Sequence, residues 1–170
     1  VEPIEQPAAS VAPTALLRDG PHTAQVPGSD VTPVATDPTP TLPVTVDSEG
    51  HEPVTVADVS RIIAVDINGT LGTTVFALGM GPHMVGRDTS TAFPSAVDLP
   101  VVTNRGHSLN AEAVLALAPT VVLVNESTVP GAAVDQIRDS GIPVVVFPGT
   151  RGLEGNDALM RSVAEALGVP

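Results

Sequence analysis

The stretch Asn110-Ala111-Glu112-Ala113-Val114-Leu115-Ala116-Leu117-Ala118-Pro119-Thr120-Val121-Val122-Leu123-Val124 decides the fold of this chain. Val114, Leu115, Leu117 and Ala118 recur at helical spacing, and Pro119 stops the helix because it has no N–H to donate and its ring clashes with the preceding turn. Val121 to Val124 follows as an unbroken apolar run with no polar alternation. A strand of that kind is covered on both faces, which is the condition of a parallel sheet flanked by helices.

Working outward in both directions, the same unit repeats. Ile62-Ile63-Ala64-Val65 reads as a strand, followed by a helix over Leu71 to Leu78 closed by Gly79, and then by the short strand Met84-Val85-Gly86. On the carboxyl side a helix spans about Pro130 to Ser140, with Ala133, Val134 and Ile137 inward and Gly141 as its C-terminal cap. The strand Val144-Val145-Val146-Phe147 comes next, and an amphipathic helix from Leu153 to Leu167 ends at Gly168. Pro43-Val44-Thr45-Val46-Asp47 and Pro53-Val54-Thr55-Val56-Ala57 alternate around Ser48-Glu49-Gly50, predicting a β-hairpin ahead of the first helix. The fold class is α/β, with a Rossmann-like parallel sheet flanked by helices and preceded by a hairpin. Residues 1–43 carry prolines at 3, 7, 13, 21, 27, 33, 38, 40 and 43, spaced by small and polar residues, and predict a disordered Pro/Thr-rich tether ahead of a domain over 44–170.

Composition narrows the function. The net charge of −12 arises from 19 acidic residues against seven arginines and no lysine, which excludes a nucleic-acid surface built on phosphate neutralisation. Absence of cysteine removes disulfides, thiol nucleophiles and thiolate metal sites, and absence of Trp and Tyr removes aromatic sugar platforms. The chain has no apolar run near the roughly 20 residues a membrane span needs, and it starts at Val1 without a basic and apolar leader. The expectation is either no export or a leader already cut away.

In open parallel sheets ligands sit beyond the carboxyl ends of the strands, here the segments Asp66–Thr70, Arg87–Phe93, Thr103–Asn110, Asn125–Val129 and Pro148–Arg151. Ile62 to Leu71 resembles the aspartyl loop of haloacid-dehalogenase-type phosphatases. However, Asn68 stands where the acid/base would be, and the chain has neither the lysine nor the later acid pair that such chemistry requires. Gly69 turning the chain and Thr70 capping the next helix account for the same residues. Ser127 could occupy a nucleophile position, yet no G-x-S-x-G elbow or triad accompanies it.

Of the four histidines, His22 falls in the tether, His51 in the hairpin turn and His83 at the start of a strand, on the opposite face; His107 alone falls on a strand-end loop. Asn110 is the expected N-cap of the following helix, with Glu112 in its first turn where the helix dipole favours a carboxylate. No two histidines lie three or four apart, so a closed metal site from this chain alone is not expected. Haem iron, which brings four equatorial ligands of its own, asks for only one or two axial ligands.

Several segments from Leu42 to Pro170 carry a family resemblance. They are the hairpin before Ser60-Arg61-Ile62-Ile63-Ala64, the helix ending Ala77-Leu78-Gly79-Met80-Gly81, Met84-Val85-Gly86-Arg87-Asp88, Phe93-Pro94, Leu109 to Leu123, and Ile137 to Val146 with Ser140-Gly141-Ile142-Pro143. In their order and spacing they resemble the N-terminal lobe of class III substrate-binding proteins of ABC importers, the group that carries haem, cobalamin and ferric siderophores. Within that group the haem-binding lipoproteins of actinobacterial uptake systems are most similar.

The resemblance implies an extracytoplasmic, membrane-anchored lipoprotein that captures ferric haem between two lobes and delivers it to an ABC permease and its ATPase subunits. It implies no enzymatic turnover and no nucleic-acid partner. The lipid anchor would lie outside this chain, behind the proline-rich start. It further implies that His107 is the axial iron ligand of this lobe, and that Asn104 and Arg105 could hydrogen-bond a propionate or the imidazole. Glu112 matches the family's docking glutamate for the permease, a role it shares with plain dipole stabilisation. A second lobe, not present in this chain, would supply the other axial ligand, commonly a tyrosine; this sequence contains none. A ferric siderophore or cobalamin is the alternative cargo, and a phosphatase-like enzyme the third reading. The scarcity of arginine and the lack of Trp and Tyr favour haem, whose broad apolar face asks for aliphatic contacts and one iron ligand.

Overall fold

The computed structural model describes residues 30–104, 107–126, 131–149 and 155–169. β1 (Val44–Ser48) and β2 (His51–Val56) form the antiparallel hairpin, Val44 opposite Val56 and Val46 opposite Val54. Gly50 takes the left-handed φ of 67° that the tight turn requires.

The main sheet has four strands in the order β4-β3-β5-β6, all parallel. These are β3 (Ile62–Val65), β4 (Met84–Arg87), β5 (Val121–Asn125) and β6 (Val144–Phe147). Between and after them run α1 (Thr70–Ala77), α2 (Ala111–Ala116), α3 (Gly131–Asp139) and α4 (Asn156–Ala166). Successive strand residues point to opposite faces, so one run of valines feeds two cores. Ile62, Ala64, Val121, Leu123, Val145 and Phe147 meet Leu71 and Val75 of α1, Val163 and Ala166 of α4, and Val56 of the hairpin. Ile63, Val65, Val122, Val124, Val144 and Val146 meet Val114 of α2 and Val134 and Ile137 of α3. All residues of β3, β5 and β6 are buried, as their unbroken apolar sequence predicts.

Both sheet edges are closed. At β6 the hairpin turn supplies partners: the Glu49 N–H donates to Val146 O at 2.8 Å, the Val146 N–H donates to Ser48 Oγ at 3.0 Å, and Arg138 Nη2 donates to Val144 O at 2.8 Å. Burial pulls the Arg138 guanidinium below its ordinary pKa, while Asp135 opposes the shift. At β4, the Arg87 N–H donates to Pro100 O and the Val102 N–H to Arg87 O, so the apolar run at Pro100–Val102 contributes one bridge at Val101 rather than a full strand. Unpaired edge groups that would otherwise template aggregation are thereby satisfied.

The segment ahead of β1 departs from the expected tether. Residues 1–29 lie outside the described residues, but 30–43 run along the domain. Prolines 33, 38, 40 and 43 lack amide donors, and two of the amides between them find carbonyls beside helix C-termini: Val34 N–H donates to Ala77 O at 2.7 Å and Thr41 N–H to Gly168 O at 2.8 Å. Val31 and Leu42 pack on the core beside α1 and α4. Gly79 and Gly168, both at positive φ, lie directly under Ala35 and Thr41, where a Cβ would collide with the backbone. The domain's contacts therefore extend to Asp30, whose carboxylate accepts the Ser95 hydroxyl at 2.5 Å.

Candidate functional site

Because all four strands run parallel, their carboxyl ends form one rim. Described there are Asp66–Thr70, Arg87–Phe93, Thr103–Asn104, His107–Asn110, Asn125–Glu126 and Pro148–Gly149. Arg105, Ser127 and Arg151 lie outside the described residues.

His107 sits in a tight reversal. Thr103 and Leu109 form an antiparallel bridge, the Asn104 N–H donates to Ser108 O at 2.8 Å, and the His107 N–H donates to Asn104 O at 3.2 Å. The turn places His107 at φ 65°, a left-handed conformation that glycine adopts freely and that costs a side-chain-bearing residue about 1 kcal/mol or more. Its Nδ1 is buried with no hydrogen-bond partner. The residue as a whole is only half-buried. An unpartnered, inward nitrogen on a strained backbone is an arrangement that contributes nothing to the fold by itself.

The reversal is tied to α2. Asn110 Nδ2 donates to Asn104 Oδ1 at 3.2 Å, and Asn110 Oδ1 accepts the Ala113 N–H at 3.2 Å as the helix N-cap. Glu112 is exposed in the first turn of α2. Asn104, His107, Asn110 and Glu112 thus belong to one continuous structure. Thr89 Oγ1 and Thr103 Oγ1, 3.1 Å apart, link it to the loop after β4.

The phosphatase-like loop is built differently from its expected chemistry. Asp66 is fully buried, its Oδ1 accepting the Leu71 N–H at 3.0 Å and its Oδ2 the Asn68 N–H at 3.4 Å. It therefore helps satisfy the first turn of α1 from the strand end. Gly69, not Thr70, occupies the N-cap position, with φ 71° and no side-chain cap bond. Asp88, to which the sequence alone assigns no role, is equally buried: it accepts the Asp66 N–H at 3.0 Å, the Thr91 N–H at 2.7 Å and the Thr91 hydroxyl at 3.2 Å. Arg87 is buried beside it and donates to the carbonyls of Asp88, Val97 and Leu99. An Arg-Asp dipeptide at the end of an apolar strand was the available signal for this inward-facing clamp.

Phe93 packs edge-on against Phe76 with ring centroids 4.8 Å apart, so its ring belongs to the core. His51 is exposed at the start of β2, and His83 closes a short helical turn, Gly81–His83, before β4, at the amino end of the sheet. Among the described residues no three His, Cys, Asp or Glu side chains are grouped to hold a metal ion.

The sequence profile of the periplasmic binding proteins matches residues 67–170. The chain belongs to the periplasmic binding protein family. Among similar periplasmic binding proteins, the crystal structure of the heme binding protein HmuT superposes with a TM-score of 0.80 at 39% identity, over 84% of this chain and 46% of that one. A periplasmic heme binding protein from Pseudomonas aeruginosa gives a TM-score of 0.58 at 31% identity, over 65% of this chain and 39% of that one. The uncharacterized ABC transporter substrate-binding lipoprotein YvrC of Bacillus subtilis (strain 168) is 32% identical over 110 residues, 63% of this chain and 34% of that protein. The chain thus spans about a third of this curated relative and less than half of these two solved ones.

Proposed function

We propose that this chain is the lobe of an extracytoplasmic binding protein that captures ferric haem and passes it to an ABC permease. His107 carries the reading. A half-buried histidine at a left-handed turn position on the rim, with an imidazole Nδ1 that no group of the protein engages, suits an iron that arrives already held by four porphyrin nitrogens and needs one imidazole more. Likeness to proteins described as heme binding supports the cargo.

In this reading Nε2 of His107 is the axial ligand, and Asn104 and Arg105 meet a propionate or steady the imidazole. A second lobe supplies the opposite axial group, a tyrosine by family resemblance. Glu112, exposed on the first turn of α2, is the docking carboxylate for basic residues of the permease. Iron and haem uptake at the cell membrane is the physiological task, with the proline-rich stretch ahead of Asp30 leading to a lipid anchor. The buried, fully engaged carboxylates of Asp66 and Asp88 count against nucleophilic chemistry at this rim.

The test is a titration of ferric haemin into the chain and into four variants, each with one histidine changed to alanine, followed in the Soret region. A saturable one-to-one signal that only His107→Ala abolishes supports the reading. Equal binding by all four variants overturns it and turns attention to a siderophore or cobalamin.

A further inference from the structure

The two loops beside the His107 reversal, Asp66–Thr70 and Arg87–Phe93, are rich in polar residues, yet they spend that polarity largely on each other and on nearby backbone. Asp66 and Asp88 face inward onto backbone N–H groups, Ser90 Oγ donates to Ile67 O at 2.5 Å, and Thr89 bonds Thr103. The loop after β3 sits flush on the loop after β4: a Cβ on Gly69 would lie 2.9 Å from Ser90 C, and one on Gly72 would lie 2.6 Å from Thr91 Oγ1. Ile67 is therefore fixed on both sides, by its own carbonyl and by the buried Asp66 preceding it, while the residue remains 44% exposed. Five large apolar side chains are exposed among the described residues: Val34, Ile67, Val97, Val101 and Met160. Of these five, only Ile67 lies within two residues of the carboxyl end of a strand of the main sheet.

The sheet spacing sets its distance from the histidine. β3 is separated from the Val101 segment by β4 alone, so two inter-strand steps, about 10 Å in all, lie between the β3 end and the base of the His107 reversal. A macrocycle centred over the imidazole would therefore turn its substituted edge, not its centre, toward Ile67.

Resting on the haem reading above, we propose that Ile67 is a specificity-determining contact: a pre-positioned aliphatic side chain that packs against the apolar edge of the macrocycle. A rigid apolar contact loses little entropy when the ligand arrives, and it disfavours cargo whose periphery is charged or hydrogen-bonding, because such groups find no partner there. Ferric hydroxamate and catecholate complexes are cargo of that kind. The same chain would bind haem with its imidazole and sort it by this side chain.

The experiment compares haemin binding by the parent chain, Ile67→Leu, Ile67→Asp and His107→Ala, with thermal unfolding of each as a control for folding. The expected result is a parent-like affinity for Ile67→Leu and an affinity about tenfold weaker for Ile67→Asp. The Soret position of Ile67→Asp should be unchanged, since the iron ligand is intact, and its unfolding temperature should match the parent's. A His107-dependent band with Ile67→Asp binding as tightly as the parent overturns this inference and leaves the haem reading standing. A parent chain without a His107-dependent band overturns both.

Discussion

Asn110 joins the reversal that carries His107 to the helix that carries Glu112: its Nδ2 donates to Asn104 Oδ1 at 3.2 Å while its Oδ1 caps Ala113 N–H, also at 3.2 Å. One side chain thus sets the position of two candidate functional residues. Its two bonds separate by mutation. Asn110→Ala should lower stability by about 1 kcal/mol through loss of the cap. Asn110→Ser keeps a cap oxygen but cannot reach Asn104, so it should stay near parental stability while weakening haemin binding. Denaturant unfolding and a Soret titration on both variants check this, and equal binding by Asn110→Ser and the parent would remove Asn110 from the site's support.

The conformation of His107 predicts a trade between stability and binding. Glycine adopts φ 65° without strain and leaves no buried nitrogen unpaired. His107→Gly should therefore be at least as stable as the parent, with a gain of up to about 1 kcal/mol, while losing haem ligation. His107→Val, β-branched at the same position, should be destabilised. Thermal melts of the two variants against the parent decide the order.

Asp88 is expected to be one of the costlier polar positions to change. It accepts two backbone N–H groups and one hydroxyl in full burial, so Asp88→Ala leaves the Asp66 and Thr91 amides without partners. A loss of about 3 kcal/mol follows from stranding two buried donors. Equilibrium unfolding of Asp88→Ala measures it, and a change below 1 kcal/mol would mean the loop re-pairs elsewhere.

The anchor at the start of the domain should respond to acid. The Ser95 hydroxyl donating to Asp30 holds that carboxyl below its ordinary 3.8; desolvation opposes the shift, and the Val31 and Ser95 amides add to it. A depressed carboxylate stabilises the folded arrangement fully above its unfolded value and loses that contribution as pH falls through the lowered folded value. Protection of the Val34 and Thr41 amides against hydrogen exchange, taken relative to amides of β3, should thus be constant near neutrality and collapse only in strong acid. Asp30→Asn should reduce it near neutrality and converge with the parent in strong acid.

The strands were legible because each is an apolar run with a helix of one face on either side. Val121–Val124 and Val144–Phe147 admit little else, and the Gly79 and Gly168 terminators lie where helix-stop chemistry puts them. The rim was legible as a place, since parallel topology alone locates it. Its contents were less so: a sequence does not reveal whether an aspartate at a strand end faces outward to a ligand or inward to an amide. Asp66 and Asp88 face inward because their neighbouring N–H groups, at Asn68, Leu71 and Thr91, are donors of a turn and a helix start that have no other acceptor. The segment 30–43 escaped for a related reason. Proline density argues against helix and central strand, but it says nothing of extended chain lying on a surface that offers free carbonyls. His107 was identifiable by elimination among the four histidines, whereas its left-handed backbone and inward Nδ1 needed the fold.

The central claim is that the His107 imidazole ligates haem iron, and replacing that imidazole tests it most directly. Ferric haemin bound to the parent should show the absorption and electron paramagnetic resonance signature of imidazole ligation; His107→Gly should lack it, and free imidazole added to that variant should restore it saturably. Identical spectra for the parent and His107→Gly, with no response to added imidazole, would contradict the account.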